Sequence, residues 1–275
     1  MTVQRLGSKV AIVSGSGRGI GRAVAEKLAR EGARVVVNDL DPEPAKETVA
    51  AIEAFGGQAV ACVGSVTDAD FAERFVNTAV EAFGGLDIIV NNAGYTWDNV
   101  IQKMTDQQWQ DIMDVHLTAP FRILRAAQPV ISAAVKKARA EGLEVPCRKV
   151  VNTSSLSGIQ GNPGQVNYST AKAGLLGMTR TLAKEWGRYN VTVNAVAYGI
   201  ISTRLTAVTT EEQSIDIDGR NIKVGVNPQV HEAATQQIAL GRAGTAEEAA
   251  GAVYMLCSPE SNYITGETLV CGGGL

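Results

Sequence analysis

The chain has 275 residues, 45% of them hydrophobic and 19% charged, with a formal net charge of −3. That length suffices for one large α/β core, and the mild acidity sets nucleic acid aside as the main ligand. No apolar run nears the roughly 18 residues of a membrane span, and four scattered cysteines with two histidines show no metal-ligand spacing.

Taken in chain order, the first predicted strand is Lys9–Ser14, β-branched and apolar. Its core, Val10–Val13, is too short for the apolar part of a signal peptide, and with the scattered cysteines this predicts a cytoplasmic protein. It runs into Gly15-x-x-x-Gly19-x-Gly21, after which Val24, Ala25 and Leu28 recur at helical spacing. A strand, a glycine turn and a helix N-terminus aim backbone N–H groups at one point, which suits a pyrophosphate. The second strand, Arg34–Asn38, ends in Asp39, a carboxylate placed to accept from ribose hydroxyls. Asp41 then Pro42 predicts an N-cap followed by a first-turn proline.

Strands Gln58–Val63 and Ile88–Asn91 follow, with a helix from near Asp68 between them, and Asn91-Asn-Ala-Gly94 closes the fourth strand. Thr105-Asp-Gln-Gln108 and Thr245-Ala-Glu-Glu248 both read as capping boxes. Ala133–Arg148 carries Lys136, Lys137, Arg139 and Arg148 against Glu141 and Glu144. It reads either as a basic patch for phosphates or as a solvated helix end, the second being the simpler reading. Strand Lys149–Thr153 precedes Ser155, and a helix from near Tyr168 carries Lys172. Strands Thr192–Val196 and Thr268–Cys271, with a helix from Thr245, complete the alternation. Between them, in 205–240, Ile215-Asp-Ile217-Asp218-Gly219-Arg-Asn-Ile222-Lys-Val224 alternates about an Asp-Gly turn. A hairpin is predicted there, with Ile217 opposite Ile222 and Ile215 opposite Val224 across a four-residue loop. The alternation as a whole predicts a single-domain, doubly wound Rossmann-type α/β fold over 1–275, a seven-stranded parallel sheet with helices on both faces.

Tyr168 and Lys172 are four residues apart, so a helix puts them on one face. An ammonium about 5 Å from a phenolate is worth roughly 3 kcal/mol at an effective dielectric near 20. The expectation is a phenol lowered by about two pKa units, before burial acts. Ser155 lies thirteen residues upstream of Tyr168. A zinc dehydrogenase would need a Cys/His ligand set that is not visible, and a serine hydrolase a Gly-x-Ser-x-Gly elbow where this chain reads Thr-Ser-Ser-Leu-Ser.

Gly15-x-x-x-Gly19-x-Gly21, Asn91-Asn-Ala-Gly94, Ser155 and Tyr168-x-x-x-Lys172, in this order, resemble the short-chain dehydrogenase/reductase family from about Leu6 to Gly273. The resemblance implies hydride transfer between nicotinamide and a carbonyl or secondary alcohol, with Tyr168 exchanging the proton. Lys172 would tune Tyr168 and hold the nicotinamide ribose, and Ser155 would position the substrate oxygen. Cofactor contacts are implied for Gly15, Arg18, Gly19, Ile20, Gly21, Asp39, Val66, Asn92, Ala93, Gly94, Tyr168, Lys172, Ile201 and Thr203. Asp39 favours NAD by repelling the 2′-phosphate of NADP, whereas Arg18 leaves NADP possible.

Several residues depart from the family pattern. His116 stands for an asparagine in a proton relay, and it is either a packed neutral imidazole or a group titrating near pH 6.5. Tyr198 stands for a proline, which would loosen the turn before Gly199. Ser65 and Cys271 stand for aspartates. The stretches Val115-His-Leu-Thr and Ser154–Tyr168 are similar to 3-oxoacyl-acyl-carrier-protein reductases and to the 3-hydroxyacyl-CoA dehydrogenase unit of peroxisomal multifunctional enzymes. A small-molecule substrate is implied, a 3-oxoacyl thioester on carrier protein or coenzyme A. A hydroxysteroid or small secondary alcohol is the alternative, and a silent nucleotide-binding regulator is the alternative of another class. The resemblance also implies a homotetramer, a lid over 205–240, and no metal, nucleic-acid or membrane partner.

Overall fold

The computed structural model describes residues 4–203, 213–217, 220–225 and 228–275. Seven strands, β1 (Val10–Val13), β2 (Arg34–Val37), β3 (Gln58–Ala61), β4 (Ile88–Asn91), β5 (Arg148–Ser155), β6 (Val191–Tyr198) and β9 (Thr268–Cys271), form one sheet. All neighbours pair in parallel, in the order β3-β2-β1-β4-β5-β6-β9. The helices are α1 (Gly19–Arg30), α2 (Pro42–Ala54), α3 (Phe71–Phe83), α4 (Asp106–Met113), α5 (Ala119–Ala140), α6 (Ser157–Gln160), α7 (Val166–Trp186), α8 (Pro228–Gln236) and α9 (Ala246–Cys257). The predicted doubly wound fold is therefore present. No helix among the described residues is long and apolar enough to cross a membrane.

Strand alternation sorts the core into two layers. Ala11, Val13, Val35, Val37, Val90 and Val196 face the layer built with Val24 and Leu28 of α1, Ile52 of α2 and Val253 of α9. Their neighbours Val10, Ile12, Val36, Ile89 and Val193 face Phe71 and Phe75 of α3, Ile123 and Leu124 of α5 and Trp186 of α7. Successive side chains of a strand point to opposite faces, so a parallel sheet covered on both sides needs apolar residues at every position. Chain order reverses between β1 and β4, and the carboxyl ends of those strands open the crevice where such sheets take ligands.

Some expectations are corrected in detail. The segment after the Thr105 capping box is not one regular helix: a π-helical turn, Asp114–Thr118, separates α4 from α5. Both capping boxes form as predicted, Thr105 with Gln108 and Thr245 with Glu248. Asp41 sits at the N-cap of α2 ahead of Pro42, but its side chain makes no capping bond. It takes a hydrogen bond from Arg18 at 2.8 Å instead. Arg148 is no part of a basic surface. It is buried at the start of β5, its Nε donating to the Leu86 carbonyl at 3.1 Å, and Arg139 is tied to the Arg188 carbonyl at 2.7 Å. The exposed Lys136 and Lys137 lie along α5, which continues to Ala140, so this stretch is a solvated helix end.

The predicted hairpin is present as β7 (Gln213–Ile217) and β8 (Arg220–Val224), antiparallel. Its register is tighter than expected: Ile217 pairs with Arg220 and Ile215 with Ile222. Two residues thus separate the paired strands in place of four. Asp218 and Gly219 themselves, and 205–212 and 226–227 of the expected lid, lie outside the described residues.

Candidate active site

The glycine turn is built by exclusion. Gly15 sits at φ +61°, in the left-handed region, and a Cβ on Gly21 would run into the Gly15 carbonyl oxygen. The side chain of Asn92 donates to the carbonyls of Ser14 and Gly15, both at 3.0 Å, so its amide braces the turn. The Ser14 hydroxyl accepts from the N–H groups of Asn92 and Ala93 at 3.0 and 3.1 Å, locking the β4 end to the β1 end. The first turn of α1 has no side-chain cap and no acidic residue, and a Cβ on Gly19 would meet nothing nearer than 3.9 Å. A bare helix N-terminus facing open space fits a pyrophosphate.

The other implied cofactor contacts lie on several elements. Ile20 lies in the first turn of α1, Val66 is buried in the segment after β3, and Ala93 and Gly94 follow Asn92. Ile201 bridges to Gly244, and a Cβ on Gly19 would lie 3.9 Å from the Thr203 side chain. Asp39 packs over Gly17, where a Cβ would lie 2.5 Å from its carboxylate. Arg18 is drawn away to Asp41 and stands 3.9 Å from Asp39. Asn38 escapes a reading of the sequence, yet it is the hub of this end. Its side-chain Oδ1 accepts from Gly15 N–H at 3.0 Å, and its side-chain NH2 donates to the Cys62 and Gly64 carbonyls, both at 3.0 Å. The only sequence signal is an amide directly after an apolar strand.

The side chains predicted to react come from β5 and α7. Ser155 ends β5, and Tyr168 is the third residue of α7, with Lys172 one turn on. The Ser155 hydroxyl accepts from Ser157 N–H at 3.1 Å and lies near enough to the Tyr168 phenol to act on its ionisation. Lys172 is 4% exposed. Its Nζ donates to the Thr153 carbonyl at 2.6 Å and lies 5.5 Å from the centre of the Tyr168 ring. Ser154 clasps the Lys172 carbonyl at 3.0 Å, so three consecutive β5 residues hold the site.

The expected lowering of the phenol is overturned. Burial pushes Tyr168 up to about 12, and the neighbouring Ser155 hydroxyl only partly opposes this. Burial also brings the Lys172 ammonium down to about 7. Both groups lose their charged forms to the same desolvation, which outweighs their mutual attraction. The site therefore rests with a neutral phenol beside an amine poised near neutrality.

His116 lies in the π-helical turn, 3% exposed, its ring edge-on to Tyr168 with centroids 5.0 Å apart. Nε2 is 2.7 Å from the Tyr95 carbonyl, which can only accept, so Nε2 carries the proton. Nδ1 is then an acceptor, buried and without a protein partner. The ring presses on Gly94, where a Cβ would collide with Cε1. Burial and the Lys172 ammonium hold the imidazole well below its ordinary range. The packed neutral ring is the correct alternative, and titration near pH 6.5 is not.

The remaining departures are absorbed by packing. The Tyr198 phenol donates to the Ala249 carbonyl at 3.1 Å, tying β6 to α9, so the turn before Gly199 is braced and not loosened. Ser65 shares a hydrogen bond with Thr67 at 2.8 Å, and Cys271 ends β9. Asn167, buried beside Tyr168, was also not legible in the sequence. Its amide donates to the carbonyls of Trp97 and Gln108 at 3.2 and 3.1 Å, and so sets the start of α7.

Comparison with known proteins follows the same lines. A family model described as enoyl-(acyl carrier protein) reductase matches residues 15–275. The chain is 37% identical to the 3-oxoacyl-[acyl-carrier-protein] reductase FabG of Vibrio cholerae serotype O1, over 98% of both chains. It is 36% identical to the protein of the same name from Thermotoga maritima, over 98% of this chain and 99% of the relative. It is 40% identical to the short-chain reductase protein NovJ of Streptomyces niveus, over 96% of this chain and 93% of the relative.

Proposed function

The chain belongs to the short-chain dehydrogenase/reductase family, and from that premise we propose that it interconverts a 3-oxoacyl and a 3-hydroxyacyl thioester carried on acyl carrier protein or coenzyme A. The observation that carries this reading is the placement of Ser155 at the end of β5 and Tyr168 at the start of α7, with Lys172 buried 5.5 Å from the Tyr168 ring. The reductases of Vibrio cholerae and Thermotoga maritima are named for a 3-oxoacyl-carrier-protein substrate, which supports the thioester.

A nicotinamide cofactor bound over the glycine turn would accept or supply the hydride. Gly15, Gly19, Gly21 and the N-terminus of α1 would hold its pyrophosphate, and Ala93, Gly94, Ile201 and Thr203 its nicotinamide end. NAD is the preferred form in this reading. Asp39, packed over Gly17, would face the adenosine ribose, and Arg18 pairs more closely with Asp41, at 2.8 Å, than with Asp39, at 3.9 Å. A 2′-phosphate would meet a net negative charge there.

In the reductive direction Ser155 donates a hydrogen bond to the substrate carbonyl. Tyr168, neutral because buried, gives its proton to the forming alkoxide. Lys172 then stabilises the phenolate and returns a proton, a task suited to an amine brought down to about 7. His116 serves as a neutral wall for the Tyr168 ring. The assembly is a homotetramer in this reading, which light scattering after gel filtration tests directly.

The test is oxidation of NADH and NADPH with acetoacetyl-CoA at pH 7, alongside Tyr168→Phe. Turnover with NADH that the variant abolishes is the expected result. Wild type that binds NADH yet leaves acetoacetyl-CoA untouched defeats the thioester reading, and turnover unchanged in Tyr168→Phe defeats the catalytic one.

A further inference from the structure

Between the two loops that flank Tyr168 lies a polar junction with no part in the proton path. Gln165 is the N-cap residue of α7, three positions before Tyr168, but its side chain makes no capping bond. It turns outward, and its Nε2 donates to Asp98 Oδ2 at 2.7 Å. Its Oε1 accepts from the Ser157 hydroxyl and from Asn162 Nδ2, both at 3.0 Å. Ser157 is the residue whose N–H holds the Ser155 hydroxyl. One carboxamide thus joins the 95–99 loop to the supports of both reacting hydroxyls. Backbone contacts close the same seam, with Asn99 N–H donating to the Gly164 carbonyl at 2.9 Å and Asn99 bridging to Gln165.

We propose that Asp98 and Gln165 form a positioning clamp that fixes the Ser155–Tyr168 geometry. The inference rests on Tyr168 and Ser155 being the catalytic pair. Without the clamp, the Ser157 hydroxyl loses its acceptor, and the start of α7 is held to the 95–99 loop by backbone contacts and Asn167 alone. A shift of about 1 Å in a reacting group lowers turnover roughly a hundredfold, whereas cofactor contacts on the other side of the crevice are untouched. Asp98 also bears on the phenol electrostatically. The surrounding chain desolvates Asp98 enough to raise its carboxyl above the ordinary range, and its charge in turn helps hold the Tyr168 phenol protonated.

The experiment compares full-length wild type, Gln165→Ala, Gln165→Glu, Asp98→Asn and Tyr168→Phe, with acetoacetyl-CoA and NADH between pH 5.5 and 8.5. Gln165→Ala is expected to lose about tenfold or more in kcat, with little change in KM and with NADH affinity retained, which also certifies the fold. Gln165→Glu places two carboxylates in hydrogen-bond contact. They repel when both are charged and share a proton when the pH falls. Its kcat relative to wild type should therefore be low at pH 8 and recover toward pH 5.5. Tyr168, Lys172 and His116 face the site in both enzymes, so the ratio isolates the introduced pair. Asp98→Asn keeps an acceptor for Gln165 Nε2 and should stay within a few-fold of wild type in kcat, with its pH profile displaced. A wild-type kcat in Gln165→Ala, or a Gln165→Glu ratio flat with pH, overturns the clamp. If Tyr168→Phe is inactive in that same set, the catalytic reading survives and only the clamp falls; if Tyr168→Phe stays active, the premise itself has failed.

Discussion

The two sides of the crevice handle polar groups in opposite ways. At the β1–β4 end, Gly15, Gly21, Asn38, Asn92 and Ser14 make a surface of backbone and amide groups whose hydrogen bonds are mutually satisfied. At the β5–α7 end, three ionisable groups are buried together: Tyr168 is pushed up to about 12, Lys172 down to about 7, and His116 is kept neutral. In the proposed reading the first side binds by leaving room and fixed dipoles, and the second reacts because desolvation has moved its protons off their ordinary positions. Binding and chemistry should therefore be separable by mutation.

The largest expected effect tests that separation from the chemical side. Tyr168→Phe should lower kcat by about 100-fold to 10,000-fold, the range of general acid catalysis, while NADH affinity by fluorescence titration stays within twofold. Gly21→Ala should do the reverse. Its Cβ forces the Gly15 carbonyl aside, so cofactor affinity should collapse and urea unfolding should show a loss of about 1–3 kcal/mol. Equal loss of binding in both variants would mean that the two sides are one cooperative unit.

A smaller effect lies in the pH profile. Lys172 supplies its proton only while charged, and burial brings it down to about 7. The reductive kcat/KM should thus fall as pH rises through about 7, and the oxidative direction should gain. His116 is neutral across that range, so His116→Gln should leave the position of this limb alone; a moved limb would assign the titration to the imidazole.

Selectivity at the ribose end comes next. Asp39→Ser removes the carboxylate over Gly17 and should raise kcat/KM for NADPH relative to NADH by about tenfold, one pKa unit's worth of like-charge repulsion. An unchanged ratio would take the preference away from Asp39. The smallest effect is remote from both sides. Thr245→Ala removes one half of the α9 capping box and should cost about 1 kcal/mol in urea unfolding with kcat unaltered.

Much of this molecule was legible in the residues alone. The alternation of β-branched runs with helical spacing specified the doubly wound sheet, because strand and helix periods are local properties of the chain. The glycine spacing, Ser155, Tyr168 and Lys172 were legible for the same reason, since each motif lies within one strand, turn or helix. Both capping boxes and the hairpin belong here too, and the hairpin register missed only because its loop was taken as four residues. What the tertiary structure decided was the direction of the electrostatics. Helical spacing said that an ammonium would lower the phenol, and only the packed site could show both groups buried deeply enough for desolvation to win. Asn38, Asn167 and the Asp98–Gln165 junction were likewise out of reach. Their partners lie on other elements, across 24 residues between Asn38 and Cys62 and 67 between Asp98 and Gln165. A hydrogen bond across such a distance is fixed by how the layers pack, and no local pattern in the sequence carries it.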